Sequence, residues 1–307
     1  MKRYLGLGLR GMAMGAADVV PGVSGGTIAL ITGIYEELIN SIRSVDHIAL
    51  KTLFSKGPIA FWKHINANFL VAVLLGIGIS VFSLVKVIHY LLDNHPILIW
   101  SFFFGLILSS AFVVGRQVQQ FNLTTAGIGM IGIGIAYFVS VATPAETPND
   151  LWFIFLSGAI AICAMILPGI SGSFILLLLR KYEYITGAIS ELDLKVLITF
   201  ALGAVLGLTS FSHLLSWLFK RFHDATIALL TGFMLGSLNV VWPWKEVVAT
   251  RVNSKGETVP LLYESVLPTN FSGEAQLFAA CTLAAIGVVL IVLLERVGNQ
   301  ELKRDGN

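Results

Sequence analysis

The feature that most constrains this chain is a short loop it carries twice. P-G-V-S-G at 21–25 returns as P-G-I-S-G at 168–172, and Tyr35-Glu36 recurs at the same offset as Tyr182-Glu183. Each copy interrupts an apolar run, at about 11–39 and 151–186. Proline removes an amide donor and glycine admits sharp turns, so neither run reads as one unbroken helix. Each is expected to form two half-helices meeting at membrane depth, a re-entrant hairpin; a single kinked span is the other reading.

The surrounding sequence places these loops in a membrane. Hydrophobic residues make up 56% of the 307 and charged residues 12%, with a mean hydropathy of +0.83. Six further apolar runs, at about 66–90, 97–115, 123–141, 195–219, 225–243 and 275–295, have the length of a membrane span. Three of them separate the two hairpins. Three is an odd number, so the second hairpin enters from the opposite face.

The expected fold is therefore an all-α polytopic membrane protein with an inverted-topology repeat. Each half is one re-entrant helical hairpin plus three transmembrane helices, residues 1–142 and then 151–307. "GIGISVFSLVKVIH" from Gly76 aligns with "GAVLGLTSFSHLLS" from Gly203, which pairs Lys86 with His213. Arg10, Arg43, Lys51, Lys56, Lys63, Arg116 and Lys220 fall on one side and make it cytoplasmic, together with both termini. "TPAETPND" (143–150) and a long polar loop (245–273) then face outward. The basic N-terminus is expected to be retained, because Arg10 interrupts its apolar run.

Several classes are excluded. The formal charge of +2 is scattered, so nucleic acid is not a partner. The six histidines form no helix-face pair and no cluster with Cys163 or Cys281, so neither a metal nor another cofactor is expected. Gly129, Gly132 and Gly134 lie in a span rather than in a strand-to-helix turn, so they are not a dinucleotide fingerprint.

Irregular backbone persists in lipid only where it is buried in protein or lines a polar cavity. A helix that begins at such a break points amides and the positive end of its dipole into it, which suits an anion. The candidate binding residues are Pro21, Gly22, Ser24, Gly25, Gly26 and Thr27 in the first loop, and Pro168, Gly169, Ser171, Gly172 and Ser173 in the second. The glycines allow close approach and the hydroxyls add donors. Tight packing at the repeat interface is the competing use for the same small residues.

Asp18 sits deep, three residues before Pro21, where a carboxylate costs on the order of 3 kcal/mol on insertion scales. Proton or sodium coupling is one reading, and a capping contact to the loop amides is the other. Arg116, Lys86 and His213 are its candidate counter-charges. Glu36 and Glu183 lie about 18 Å along a helix from Ser24 and Ser171. They, Glu37, Arg180 and Lys181 belong near the interfaces, as anchors or gating groups.

At "ADVVPGVSGGTIALITGIYEELI" the chain resembles the polyprenyl-phosphate transporter (PopT) family of bacterial membrane proteins, and the resemblance covers essentially the full length. It implies a multi-pass protein of the cytoplasmic membrane that returns undecaprenyl phosphate from the outer to the inner leaflet, its phosphate held by the two loops. The partners are then the polyprenyl-phosphate lipid and the bilayer, with H+ or Na+ as the open coupling ion; a second copy of the chain, in a homo-oligomer, is a further candidate. An ion-coupled small-anion transporter is one alternative. A membrane-embedded undecaprenyl-diphosphate phosphatase is another, but the arginine of its P-G-x-S-R-S loop is replaced here by Gly25 and Gly172.

Overall fold

The computed structural model describes residues 2–20, 23–252 and 258–305, so Pro21 and Gly22 lie outside the described residues. The first half runs α1 (Lys2–Asp18), α2 (Gly25–Ile31), α3 (Tyr35–Arg43), α4 (His47–Lys56), α5 (Pro58–His64), α6 (Ala67–Asn94), α7 (Pro96–Gly115) and α8 (Leu123–Val141). The second half runs α9 (Leu151–Ile166), α10 (Gly172–Leu178), α11 (Tyr182–Glu191), α12 (Leu194–Arg221) and α13 (His223–Gly236), then β1 (Lys245–Val252), β2 (Thr258–Ser265) and α14 (Leu277–Asp305). Local chemistry sets the starts. Asn122 and Thr125 form a capping box ahead of α8, the Ala49 amide donates to Asp46 ahead of α4, and Pro58 and Pro96 open α5 and α7.

Among the described residues five helices are long and apolar enough to cross a membrane: α6, α7, α8, α12 and residues Leu277–Arg296 of α14. The chain is a helical, polytopic membrane protein. The most apolar stretch of α7 is 67% buried, against 17–22% in the other four, so α7 is the central helix and the others turn most of their apolar surface outward. The sixth expected run, 225–243, is the 14-residue α13 continued by a 3-10 turn over Ser237–Asn239. Together they rise about 27 Å, close to the thickness of a bilayer core.

Four long helix pairs make up the body, with α1 along α6, α9 along α12, α7 along α14, and α8 along α13. Each is closed by glycine against backbone. A Cβ on Gly11 would run into the Val73 carbonyl, and one on Gly203 into that of Phe155. Gly105 meets Ala284, and Gly232 meets Gly129, in the same way. Without a hydrophobic force between helices in lipid, such close approach is what holds them, through dispersion contacts.

The segment read as a polar loop from 245 contains an antiparallel hairpin, with Lys245 opposite Ser265 and Val252 opposite Thr258. A register shift between Val247 and Ala249 breaks the alternation that would mark a strand in the sequence. Two tryptophans hold the hairpin down. Trp244 donates from Nε1 to the Ala275 carbonyl at 2.9 Å and Trp242 to that of Val266 at 2.8 Å, their rings 5.5 Å apart.

Candidate functional site

The first break begins where α1 stops. The Asp18 carboxylate accepts the Gly25 amide at 2.6 Å, and the Ser24 hydroxyl accepts that of Gly26 at 3.1 Å. The Thr27 amide donates to the Ser24 carbonyl at 3.0 Å. Gly25 has to lack a side chain, because a Cβ there would lie 2.5 Å from Asp18 Oδ2. The amides that open α2 are thus satisfied from within the loop, and all seven residues of α2 are buried.

The second break is brought against the first. Helix α9 ends with carbonyls that have no partner along the helix, and hydroxyls of the first half fill two of them. Ser24 donates to Met165 O at 3.0 Å and Tyr35 to Ile166 O at 3.2 Å. In the other direction the Gly169 amide donates to Thr27 Oγ1 at 3.2 Å. Gly169 has φ +85, and a Cβ on it would meet Ser237 Oγ at 2.8 Å. Sequence stretches far apart in the chain form one polar knot inside the apolar core.

The two breaks are not equivalent. Ser171 caps no amide of α10, and its hydroxyl lies 2.8 Å from that of Ser173. Only Gly172 is buried within α10, packed on the Ala161 carbonyl. The arms that follow differ likewise. Helix α3 packs on α12, where the Tyr35 and Phe219 rings are 5.7 Å apart and Arg43 donates to Ser216 Oγ at 2.7 Å, Ser216 in turn donating to Asn40 Oδ1 at 2.9 Å. On α11 the equivalent Tyr182 is exposed, and a Cβ on Gly187 would meet nothing within 4 Å.

The remaining candidates lie apart from the knot. Glu36 faces His223 Nε2 at 3.7 Å, and His223 Nδ1 stands 3.4 Å from Asp224. Arg116 stacks on Phe112 at 4.2 Å, the His213 ring is bonded to its own helix at Thr209, and Lys86 is exposed on α6. Among the described residues none of these three forms an ion pair with Asp18. Arg180 adopts the left-handed φ of 51° that Gly33 supplies in the first half and pairs with Glu146 at 2.9 Å; Glu183 is half-buried in the first turn of α11.

Sequence reasoning missed several participants. Tyr35 was marked only by its repetition. Asn40, Arg43 and Ser216 carried no signal, since their use depends on α3 meeting α12. Lys181, taken from the sequence as an interface anchor like Arg180, is 1% exposed, donating to Thr147 O and Asn149 Oδ1 between the rings of Phe153 and Tyr184.

A helical membrane protein whose core joins two broken-helix loops through polar contacts is, in class, a membrane protein of transporter-like build. Comparison with known proteins narrows this. The chain belongs to the VCA0040-like, undecaprenyl phosphate translocase-like family, whose model matches residues 14–259. It is 48% identical over 297 residues to a polyprenyl-phosphate transporter of Vibrio cholerae serotype O1, covering 95% of this chain and 96% of the relative. It is 33% identical over 253 residues to a polyprenyl-phosphate transporter of Staphylococcus aureus, covering 76% and 85%. The family resemblance read from the loops is borne out. No solved structure matches the chain.

Proposed function

We propose that this protein is a flippase that returns undecaprenyl phosphate from the outer to the inner leaflet of the bacterial cytoplasmic membrane, with its phosphate held where the two loops meet. The observation that carries the reading is the contact of the loops, Ser24 on Met165 O and the Gly169 amide on Thr27. Broken helices that meet inside the core of a polytopic protein are where such transporters place a polar substrate. A lipid phosphate needs its anionic head sheltered while its tail remains in lipid. The relatives, named for polyprenyl phosphate, fit that chemistry.

The halves act as an inverted repeat. The packing of α1 on α6 parallels that of α9 on α12, and α7 on α14 parallels α13 on α8. The difference between the arms then describes a state: α3 is shut on α12 at the cytoplasmic side, while α11 stands off α6 at the outer side. In this state the second loop is the receptive one, since among the described residues the Ser171 and Ser173 hydroxyls bond to each other alone, whereas Asp18 and Ser24 cap the first loop. Coupling to H+ or Na+ is assigned to Asp18. Phosphatase chemistry is disfavoured because no arginine stands at Gly25 or Gly172 to stabilise a transferring phosphoryl group.

The test is reconstitution in vesicles carrying undecaprenyl phosphate, with phosphate accessibility followed on both leaflets and inorganic phosphate release from undecaprenyl diphosphate scored in parallel. Translocation without release supports the flippase. Release would make the protein an enzyme, and no signal in either channel would favour a small-anion transporter.

A further inference from the structure

The connection from α3 to α6 contains α4 and α5, whereas the second half joins α11 to α12 with only Leu192 and Asp193. The extra helices are therefore not needed to make the connection. Helix α4 packs chiefly on α5, and α5 on the start of α6, where Trp62 Nε1 donates to Asn68 Oδ1 at 2.8 Å. Their large apolar side chains are turned outward: Leu50 is 56% exposed, Phe54 85%, Ile59 74% and Trp62 46%. Between His47 and His64 the chain has Lys51, Lys56 and Lys63, all exposed, and no carboxylate. The nearest acid, Asp46, is engaged by the Ala49 amide and lies 3.8 Å from His64.

We propose that α4 and α5 form an interfacial hairpin that docks on anionic phospholipid headgroups, its aromatic and aliphatic side chains inserted at the acyl boundary and its lysines on the phosphates. A basic helical surface with exposed apolar side chains has the composition of a segment lying in the interface plane. Each lysine near an anionic surface contributes about five-fold to the docked population, so three together contribute on the order of a hundred-fold, declining as salt screens them. The assignment to the cytoplasmic leaflet rests on the topology proposed above. The docking itself does not.

The test uses the full chain with Cys163→Ser and Cys281→Ser, and an environment-sensitive fluorophore on Phe54→Cys, in vesicles of phosphatidylcholine with or without phosphatidylglycerol. The expected result is blue-shifted emission, quenched by nitroxide-labelled lipid, that rises with phosphatidylglycerol, falls at high salt, and is lost in the Lys51→Glu, Lys56→Glu, Lys63→Glu variant. Water-like emission in both lipids would overturn the inference. So would equal insertion in pure phosphatidylcholine by both proteins, and so would a blue shift seen only at high protein-to-lipid ratio, which would assign this face to a second copy of the chain. Translocation measured in the same vesicles separates the two claims: a docked label without translocation counts against the flippase alone, and an undocked label with translocation counts against the hairpin alone.

Discussion

The Asp18 carboxylate accepts the Gly25 amide at 2.6 Å, so the end of α1 holds the beginning of α2 across the first break. Asp18→Ala is expected to destabilise the protein by about 1–3 kcal/mol, the cost of leaving the Gly25 amide without its acceptor. Asp18→Asn keeps a neutral acceptor and loses less, as thermal unfolding in detergent will show. If Asp18 also couples transport, Asp18→Asn abolishes the response to pH or sodium; an unaltered response would remove it from that role.

Two serines at matching positions are expected to behave differently. Ser24→Ala loses the bond to Met165 O and the cap on Gly26, and lowers stability by about 1–2 kcal/mol. Ser171→Ala caps nothing and leaves the unfolding temperature nearly unchanged, but weakens binding of the lipid phosphate. Binding to purified protein beside a melting curve separates these effects, and unchanged binding in Ser171→Ala would argue against the second loop as the receptive one.

Glycine substitutions should separate the pairs that are in backbone contact from the open helix face at Gly187. Gly203→Ala forces a methyl into the Phe155 carbonyl and is expected to cost about 1–3 kcal/mol or more. Gly187→Ala enters open space inside α11 and gains about 0.5–1 kcal/mol of helix propensity. Opposite shifts in unfolding temperature are the expected outcome.

At the base of the β-hairpin, Lys245 donates to the Val240 carbonyl and lies over the Trp100 ring at 4.8 Å. Burial lowers its pKa from 10.5 to about 8. The folded state therefore binds this proton less tightly than the unfolded chain, so stability rises with pH between about 8 and 10.5, by up to about 3 kcal/mol. Lys245→Met is expected to flatten that rise, measured as unfolding temperature against pH.

The contact of α3 with α12 gives a test of state. Asn40→Cys with Ser216→Cys places two thiols where the hydroxyl and amide now stand 2.9 Å apart. Oxidation is expected to stop translocation and reduction to restore it. Full activity in the oxidised protein would show that α3 need not leave α12.

Five of the six expected spans and the interruption of the two broken runs were legible because each rests on local sequence: a long apolar run, or Pro-Gly inside one. The partners of the breaks were not. Nothing near Ser24 announces that its hydroxyl ends on Met165, because that contact exists only once the halves meet. For Asp18 the sequence admits both a cap and an ion-coupling role, and the cap is formed through Gly25. The β-hairpin was hidden by its own bulge, and the buried Lys181 by a composition that reads as an interface anchor. The Arg43 to Ser216 contact joins helices from opposite halves, which no periodicity marks.

The backbone contacts within the four helix pairs also limit how the molecule can change shape. Sliding one helix of a pair past the other would drive carbonyls such as those of Val73 and Phe155 into the facing helix, so each pair moves as one stiff girder. Bending is left to residues outside the girders, such as those at 32–34 and 167–171. The helices α3 and α11 that follow these joints are held by side chains instead, Tyr35 against Phe219 and Ile185 in one cluster with Ile154 and Val196, and the four pairs are the frame on which they rest.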